Sequence, residues 1–211
     1  MYGKRYRQIM KYFITAIGTD SGKTLASAIL CEALDADYWK PVQAGQPRDA
    51  DTVRELITNT QTIIHPETYL LKTPASPHAA AKLDGIEIKI NDFIVPASSN
   101  LIIEGAGGCL VPLNDNNFVI DLAPVFKAEI ILVANLYLGS INHTLLTVEA
   151  LKNRKIPIKG IIFNGDHNPE SENIILKHAG LKALLHIENE KEINKEVVKK
   201  YASILKSIWY E

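Results

Sequence analysis

The chain reads as a doubly wound α/β domain, a mostly parallel sheet with helices on both faces. Three observations predict this. Short apolar runs alternate with amphipathic segments along nearly the whole sequence. The runs are continuously apolar rather than alternating, as expected of strands buried on both faces. The 211 residues are 46% hydrophobic, enough for one sizeable core, and no repeat, low-complexity tract or linker-like stretch interrupts them.

Taken in order, strands are predicted over 12–17, 38–42, 101–104, 129–134, 158–163 and 183–187. Helices are predicted over 24–34, 51–57, 118–126, 142–153, 170–179 and 194–208. The segment 24–34 is rich in Leu, Ala and Ile, which suits a helix packed closely on the sheet. In 194–208, Val197, Val198, Tyr201, Ile204 and Leu205 recur at helical spacing, the pattern of a docked C-terminal helix. The domain is placed over 10–211. Residues 1–9 carry Lys4, Arg5 and Arg7 with no following apolar stretch and cleavage site, so they read as an unstructured leader and not as a secretory signal.

Composition excludes several classes. With 23 basic against 24 acidic residues the chain lacks the bulk positive charge of a nucleic-acid binder. No apolar run approaches the length of a membrane span. Cys31 and Cys109 have neither pairing nor metal spacing, and two reduced thiols point to a cytoplasmic protein.

The first chemical signal follows the first strand. Gly18-Thr19-Asp20-Ser21-Gly22-Lys23-Thr24 joins a buried strand to a helix, where backbone N–H groups and the helix dipole converge on an anion. Gly22 permits close backbone approach, Lys23 reaches terminal phosphates, and the Thr24 hydroxyl suits Mg²⁺. An ordinary helix start is the bland reading, and strand, helix and glycine together outweigh it. The usual Walker spacing places a glycine five positions before Gly22, where this chain has Ile17; Gly18 stands four positions before and Ala16 six.

Two further strand ends carry charge. Lys40-Pro41-Val42-Gln43-Ala44-Gly45 sets a lysine at a carboxyl edge of the sheet, where ligands collect, with Asp49 just downstream. Alone, Lys40 would read as a solvated surface lysine. The apolar run 101–103 ends in Glu104, followed by Gly105-Ala106-Gly107-Gly108, an arrangement resembling a Walker B carboxylate that holds Mg²⁺. Val53 and Leu56 set a helix register that places Asp49 just before the helix, which favours it over Asp51. Further on, Leu138-Gly139-Ser140-Ile141-Asn142-His143 opens another helix whose free N–H groups suit a carboxylate; simple capping by Ser140 or Asn142 is an equal reading. Asn164, at a strand end, reads either as a contact to a base edge or as a turn residue.

With these pieces in place, the chain resembles the dethiobiotin synthetases, within a P-loop group that also holds ParA/MinD-type ATPases and cobyrinate amidases. The resemblance spans nearly all of 10–187 and rests on the order of Thr19 to Thr24, Lys40 to Gly45, Ser76-Pro77-His78, Glu104 to Gly108 and Leu138 to His143. It implies ATP-dependent ring closure: CO₂ adds to an amine of 7,8-diaminopelargonate, ATP phosphorylates the carbamate, and the second amine closes the ureido ring. It implies that Lys23 and Lys40, with Thr19, act on the carbamate and the moving phosphoryl group, and that Thr24, Asp49 and Glu104 hold Mg²⁺. The nucleotide would lie along Asp20, Ser21, Gly22, Lys23, Thr24 and Leu25 and against Gly105, Ala106 and Gly107, with Asn164 at the adenine. Lys40 and Ala44 would face the substrate. The family is homodimeric, so Ser140, Ile141 and Asn142 would hold the substrate carboxylate across the interface. Three positions depart from the pattern: Ala16 stands at the family's first loop glycine, Ala44 where many members carry Ser or Thr, and Glu188 where Pro usually follows Ile187.

Two rivals are weaker. A ParA/MinD-like switch ATPase usually has a second lysine early in the loop and a basic amphipathic tail, and positions 16–21 contain no lysine. An amidotransferase relative would need a glutaminase domain.

Overall fold

The computed structural model describes residues 10–209; the leader read at 1–9 lies outside the described residues. Nine strands are found among them: β1 Met10–Ala16, β2 Asp37–Trp39, β3 Val42–Ala44, β4 Ile64–His65, β5 Tyr69–Leu71, β6 Asn100–Glu104, β7 Glu129–Asn135, β8 Ile158–Asn164 and β9 Ala183–Ile187. The helices are α1 Lys23–Leu34, α2 Asp49–Leu56, α3 Pro77–Asp84, α4 Leu122–Phe126, α5 Ser140–Asn153, α6 Pro169–Ala179 and α7 Lys195–Ile208.

Seven strands form one parallel sheet in the order β4-β2-β6-β1-β7-β8-β9, with β1 at its centre. Successive side chains on a strand point to opposite faces, and the core divides accordingly. Phe13, Leu101, Ile103, Ile130 and Leu132 pack with Phe126 of α4, Val148 and Leu151 of α5 and Ile175 of α6. Tyr12, Ile14, Ile102, Ile131 and Val133 pack on the other face with Ile29 and Leu30 of α1, Val53 of α2 and Val198, Tyr201 and Leu205 of α7. Both faces of every central strand are therefore buried, which accounts for the unbroken apolar runs.

Two predicted elements differ. The strand expected over 38–42 is two strands: β2 belongs to the main sheet, whereas β3 turns away and pairs with β5 in a separate two-stranded parallel sheet. Pro41 sits between them. It has no N–H to continue the ladder, and its carbonyl accepts from the amides of Thr68 and Tyr69 (both 3.0 Å). The helix expected over 118–126 is a 3₁₀ turn, Val119–Asp121, followed by the short α4. Strands β4 and β5 and helix α3 were not foreseen; β4 and β5 are only two and three residues long, too short to show a period.

Candidate active site

Strands β1, β2 and β6 are neighbours around the sheet centre, and their carboxyl ends open on one cleft of about 740 Å³. Thr19, Asp20, Gly22, Lys23 and Thr24 form one wall; Lys40, Gln43, Ala44 and Asp49 another; Glu104, Ala106 and Gly107 a third. The segment Pro74–Pro77, at the start of α3, closes the rim.

The loop after β1 is tightly wound. Asp20 (φ 57°) and Gly22 (φ 93°) both take left-handed backbone, and Gly22 caps α1. At Gly22 this conformation combines with a close approach: a β-carbon there would come within 2.4 Å of Asn164 Nδ2. Asn164, the last residue of β8, donates through Nδ2 to the Ser21 carbonyl (3.0 Å), so it props the loop from beneath. The Ser21 hydroxyl and the Lys23 ammonium both donate to the Gly18 carbonyl (3.2 Å each). Ala16 is the last residue of β1, buried and outside the left-handed region, so its position does not call for a glycine. Leu25 is half-buried against the α1 side of the core and does not line the cleft.

The charged centre lies where the loop meets β2 and β6. Lys40 Nζ bonds Glu104 Oε1 (3.0 Å) and Asp49 Oδ2, and lies 3.5 Å from the Gly105 carbonyl. Thr24 Oγ1 is 3.1 Å from Glu104 Oε1 and 3.2 Å from Asp49 Oδ1. Two residues not singled out from the sequence hold these carboxylates in place. Tyr38, two positions before Lys40, donates its hydroxyl to Glu104 Oε2 (3.0 Å). Gln43 accepts the Asp49 amide through Oε1 (3.2 Å) while donating to the carbonyls of Gly45 and Pro47. Asp49 is the first residue of α2, not the residue before it as the register suggested, because that helix starts after Arg48. Asp51 points elsewhere, to Arg54 (2.7 Å).

Electrostatics separate the two lysines. Burial alone would lower the Lys40 pKa, but Glu104 and Asp49 outweigh it and hold the ammonium above the ordinary lysine value. For Lys23 burial wins: Glu104, Asp49 and Asp20 offset it only partly, Lys40 adds repulsion, and the pKa is lowered. Burial and the nearby Glu104 push the Tyr38 hydroxyl well up, so it stays a donor.

The donor set fits a hard divalent cation. A hydroxyl and two carboxylates, all oxygen, converge from three elements. The single Thr24 hydroxyl proton can serve only one of its two carboxylate neighbours at a time, leaving one oxygen–oxygen approach that a cation would relieve.

The predicted anion site at α5 lies outside this cleft. The Ser140 amide is already used, donating to the Tyr137 carbonyl (2.9 Å), and the residue is buried. Among the described residues no acceptor meets the Ile141 and Asn142 amides. Ser140 and Ile141 line a second hollow of about 360 Å³, with Tyr137, Leu138 and the turn at Asp166–Asn168. The helix starts at Ser140 rather than at residue 142, because Gly139 (φ 103°) supplies the left-handed cap.

A parallel sheet with a Lys-Thr loop at its central strand and a carboxylate ending the adjacent strand defines a P-loop ATPase. Residues 10–197 match the family model described as an AAA domain. The chain is 61% identical to the ATP-dependent dethiobiotin synthetase BioD of Cytophaga hutchinsonii, over 95% of this chain and 99% of the relative. It is 49% identical to the protein of that name from Christiangramia forsetii, over 90% and 93%. Among solved structures, the septum site-determining protein MinD from Pyrococcus horikoshii superposes with a TM-score of 0.57, covering 95% of this chain and 98% of that one at 14% identity. That likeness concerns the fold alone. The chain belongs to the ATP-dependent dethiobiotin synthetase family, ligases that form carbon–nitrogen bonds.

Proposed function

We propose that the cleft between the loop, Lys40 and Glu104 is where this synthetase phosphorylates the carbamate of 7,8-diaminopelargonate. The observation that carries the reading is the convergence of Thr24, Lys40, Asp49 and Glu104 beside a helix N-terminus within one cleft. In this reading the triphosphate lies over Asp20 to Thr24, with Lys23 moving from the Gly18 carbonyl to the terminal phosphates. Thr24, Asp49 and Glu104 would hold Mg²⁺, which when bound neutralises charge on the transferring phosphoryl group.

Lys40, paired with Asp49 and Glu104 in the structure, would turn its ammonium to the carbamate once those carboxylates are committed to the cation. It thereby offsets the negative charge of both reacting groups, which otherwise repel one another. Thr19, Ala106 and Gly107 border the same path, and Ala44 lines it without a hydroxyl. Gly105 does not line the cleft, and its amide is already donated to the Ile14 carbonyl (2.9 Å). ATP transfers its terminal phosphoryl group to the carbamate oxygen and leaves as ADP. The second amine then attacks the carbamoyl carbon, phosphate departs with the bond electrons, and the ureido ring closes. Asn164 supports the loop through the Ser21 carbonyl, and in this reading its side-chain oxygen would meet the adenine.

The enzyme acts as a homodimer in the cytoplasm. Exposed Tyr137, Leu138, Ile141, Leu146 and Leu110 support the first part, and the free Cys31 and Cys109 the second. The free amides of Ile141 and Asn142 then meet the substrate carboxylate of the neighbouring subunit. ADP release with and without diaminopelargonate and bicarbonate tests the reading. Release that requires both compounds supports it, and release indifferent to either points to a switch ATPase.

A further inference from the structure

A second constellation lies at the carboxyl ends of β8 and β9, apart from the charged centre. His167 follows β8, Glu172 sits in the first turns of α6, and His186 is the fourth residue of β9. Glu172 Oε1 is 2.8 Å from His167 Nδ1 and 3.3 Å from His186 Nδ1. One ligand atom from each of the three lies within 4.8 Å of the others. The two imidazoles meet edge to face, with centroids 4.8 Å apart.

The hydrogen bonding of His186 is informative. Its Nε2 lies 2.9 Å from the Gly165 carbonyl. A carbonyl only accepts, so Nε2 carries the hydrogen and Nδ1 presents a lone pair in the neutral ring. That Nδ1 is shut off from solvent and makes no hydrogen bond. It faces a carboxylate oxygen that already accepts the Asn168 amide (2.9 Å). Lone pair against lone pair is unfavourable unless a cation stands between them. Anchoring of the distal N–H on a backbone carbonyl is also how metal-bound imidazoles are oriented. The plain role of Glu172, tying down the start of α6 through the Asn168 amide, explains neither the two imidazoles on one oxygen nor the unpaired Nδ1.

We propose that His167, Glu172 and His186 form a binding site for a borderline divalent transition ion of the Zn²⁺ class. Two imidazole nitrogens and one carboxylate oxygen select such an ion over Mg²⁺ or Ca²⁺, which take all-oxygen sets. Bonds of about 2.0–2.2 Å at tetrahedral angles put ligand atoms roughly 3.4 Å apart, within the spread seen here. His167 is the exposed member, at 57%, and its side chain can swing to complete the geometry, leaving a fourth position for water. The ion would tie the turn after Asn164 to the end of β9, bracing the strand end that supports the phosphate loop.

The test is titration of the tag-free chain, first stripped with chelator, with Co²⁺ in excess Mg²⁺, which occupies the all-oxygen site. One equivalent of Co²⁺ should bind with visible d–d absorption and be displaced by Zn²⁺. His167→Ala, confirmed as folded by circular dichroism, should lose at least tenfold in affinity and most of that absorption, and E172Q likewise. His178→Ala, at an exposed histidine elsewhere on α6, should match the wild type. Absence of stoichiometric binding, or binding that H167A leaves unchanged, would overturn the site and leave His186 paired to Glu172 through a proton.

Discussion

Lys40 shows how much of a residue's chemistry a one-dimensional reading contains. Its place at a strand end was legible, as were Lys23, Thr24 and Glu104, because each follows an apolar run whose direction fixes which edge of the sheet it reaches. Asp49 was placed from the helix after it, one residue short of its true position in α2. The contributions of Tyr38 and Gln43 were not, since they depend on side chains crossing between elements. Lys40→Ala should lower kcat by about 10²–10³-fold, the loss typical of removing one electrostatic donor to a transition state. ATP affinity should change little, because Lys23 and the loop amides remain, and a nucleotide titration beside turnover separates the two. The lysines should also differ in pH response. Lys40 is held protonated by its carboxylates, so its contribution to stability is full below the unfolded lysine value and fades as pH rises through its higher folded value. Lys23 has a lowered pKa, so the folded protein gains stability as pH rises through that value while the loop loses a positive charge. The expected result is an alkaline decline in kcat/KM for ATP centred below the ordinary lysine range, since this parameter reports the free enzyme. A profile flat through that range would remove Lys23 from phosphate binding.

At the scale of elements, the strands of the main sheet were legible where they are long and buried on both faces, and illegible where they are short or interrupted. The run 38–42 looks continuous by hydropathy, yet Pro41 divides it, and the divided path is what sets Lys40 beside Asp49. Hydropathy does not register a missing N–H. The loop between β1 and α1 gives a sharper case, because its shape was legible only as composition. Gly22 and Gly85 both have left-handed backbone, φ 93° and 68°, but a β-carbon on Gly22 meets Asn164 at 2.4 Å while one on Gly85 meets nothing within 4 Å. Gly85→Ala should therefore cost only the backbone conformation, about 1–2 kcal/mol, with ATP affinity unchanged. Gly22→Ala should cost about 1–3 kcal/mol and also dislodge Asn164 from the Ser21 carbonyl, weakening ATP binding at least tenfold. Urea unfolding and nucleotide titration of the two variants side by side distinguish local strain from loss of the loop.

At the scale of the whole molecule, single exposed apolar residues are ordinary, so a candidate association surface could not be read from hydropathy. Folding brings Tyr137, Leu138, Ile141 and Leu146, on or beside α5, to the surface near the carboxyl edge of the sheet, and Leu110 and Leu146 line one shallow hollow there. Leu138 is fully exposed, so a charge there touches no core and should change the stability of a monomer by no more than about 0.5 kcal/mol. If the surface is the dimer contact, Leu138→Glu places a carboxylate in an apolar interface from both sides of a two-fold axis, and the penalty is felt twice. The variant should sediment as a monomer at concentrations where the wild type sediments as a dimer. ATP binding should survive, because Thr19 to Thr24, Lys40, Asp49 and Glu104 already converge within a single chain. The KM for diaminopelargonate should rise at least tenfold, because the Ile141 and Asn142 amides of the neighbouring subunit no longer reach its carboxylate. A monomeric variant with an unchanged KM would keep the dimer but detach it from substrate binding, and a monomeric wild type would discard both.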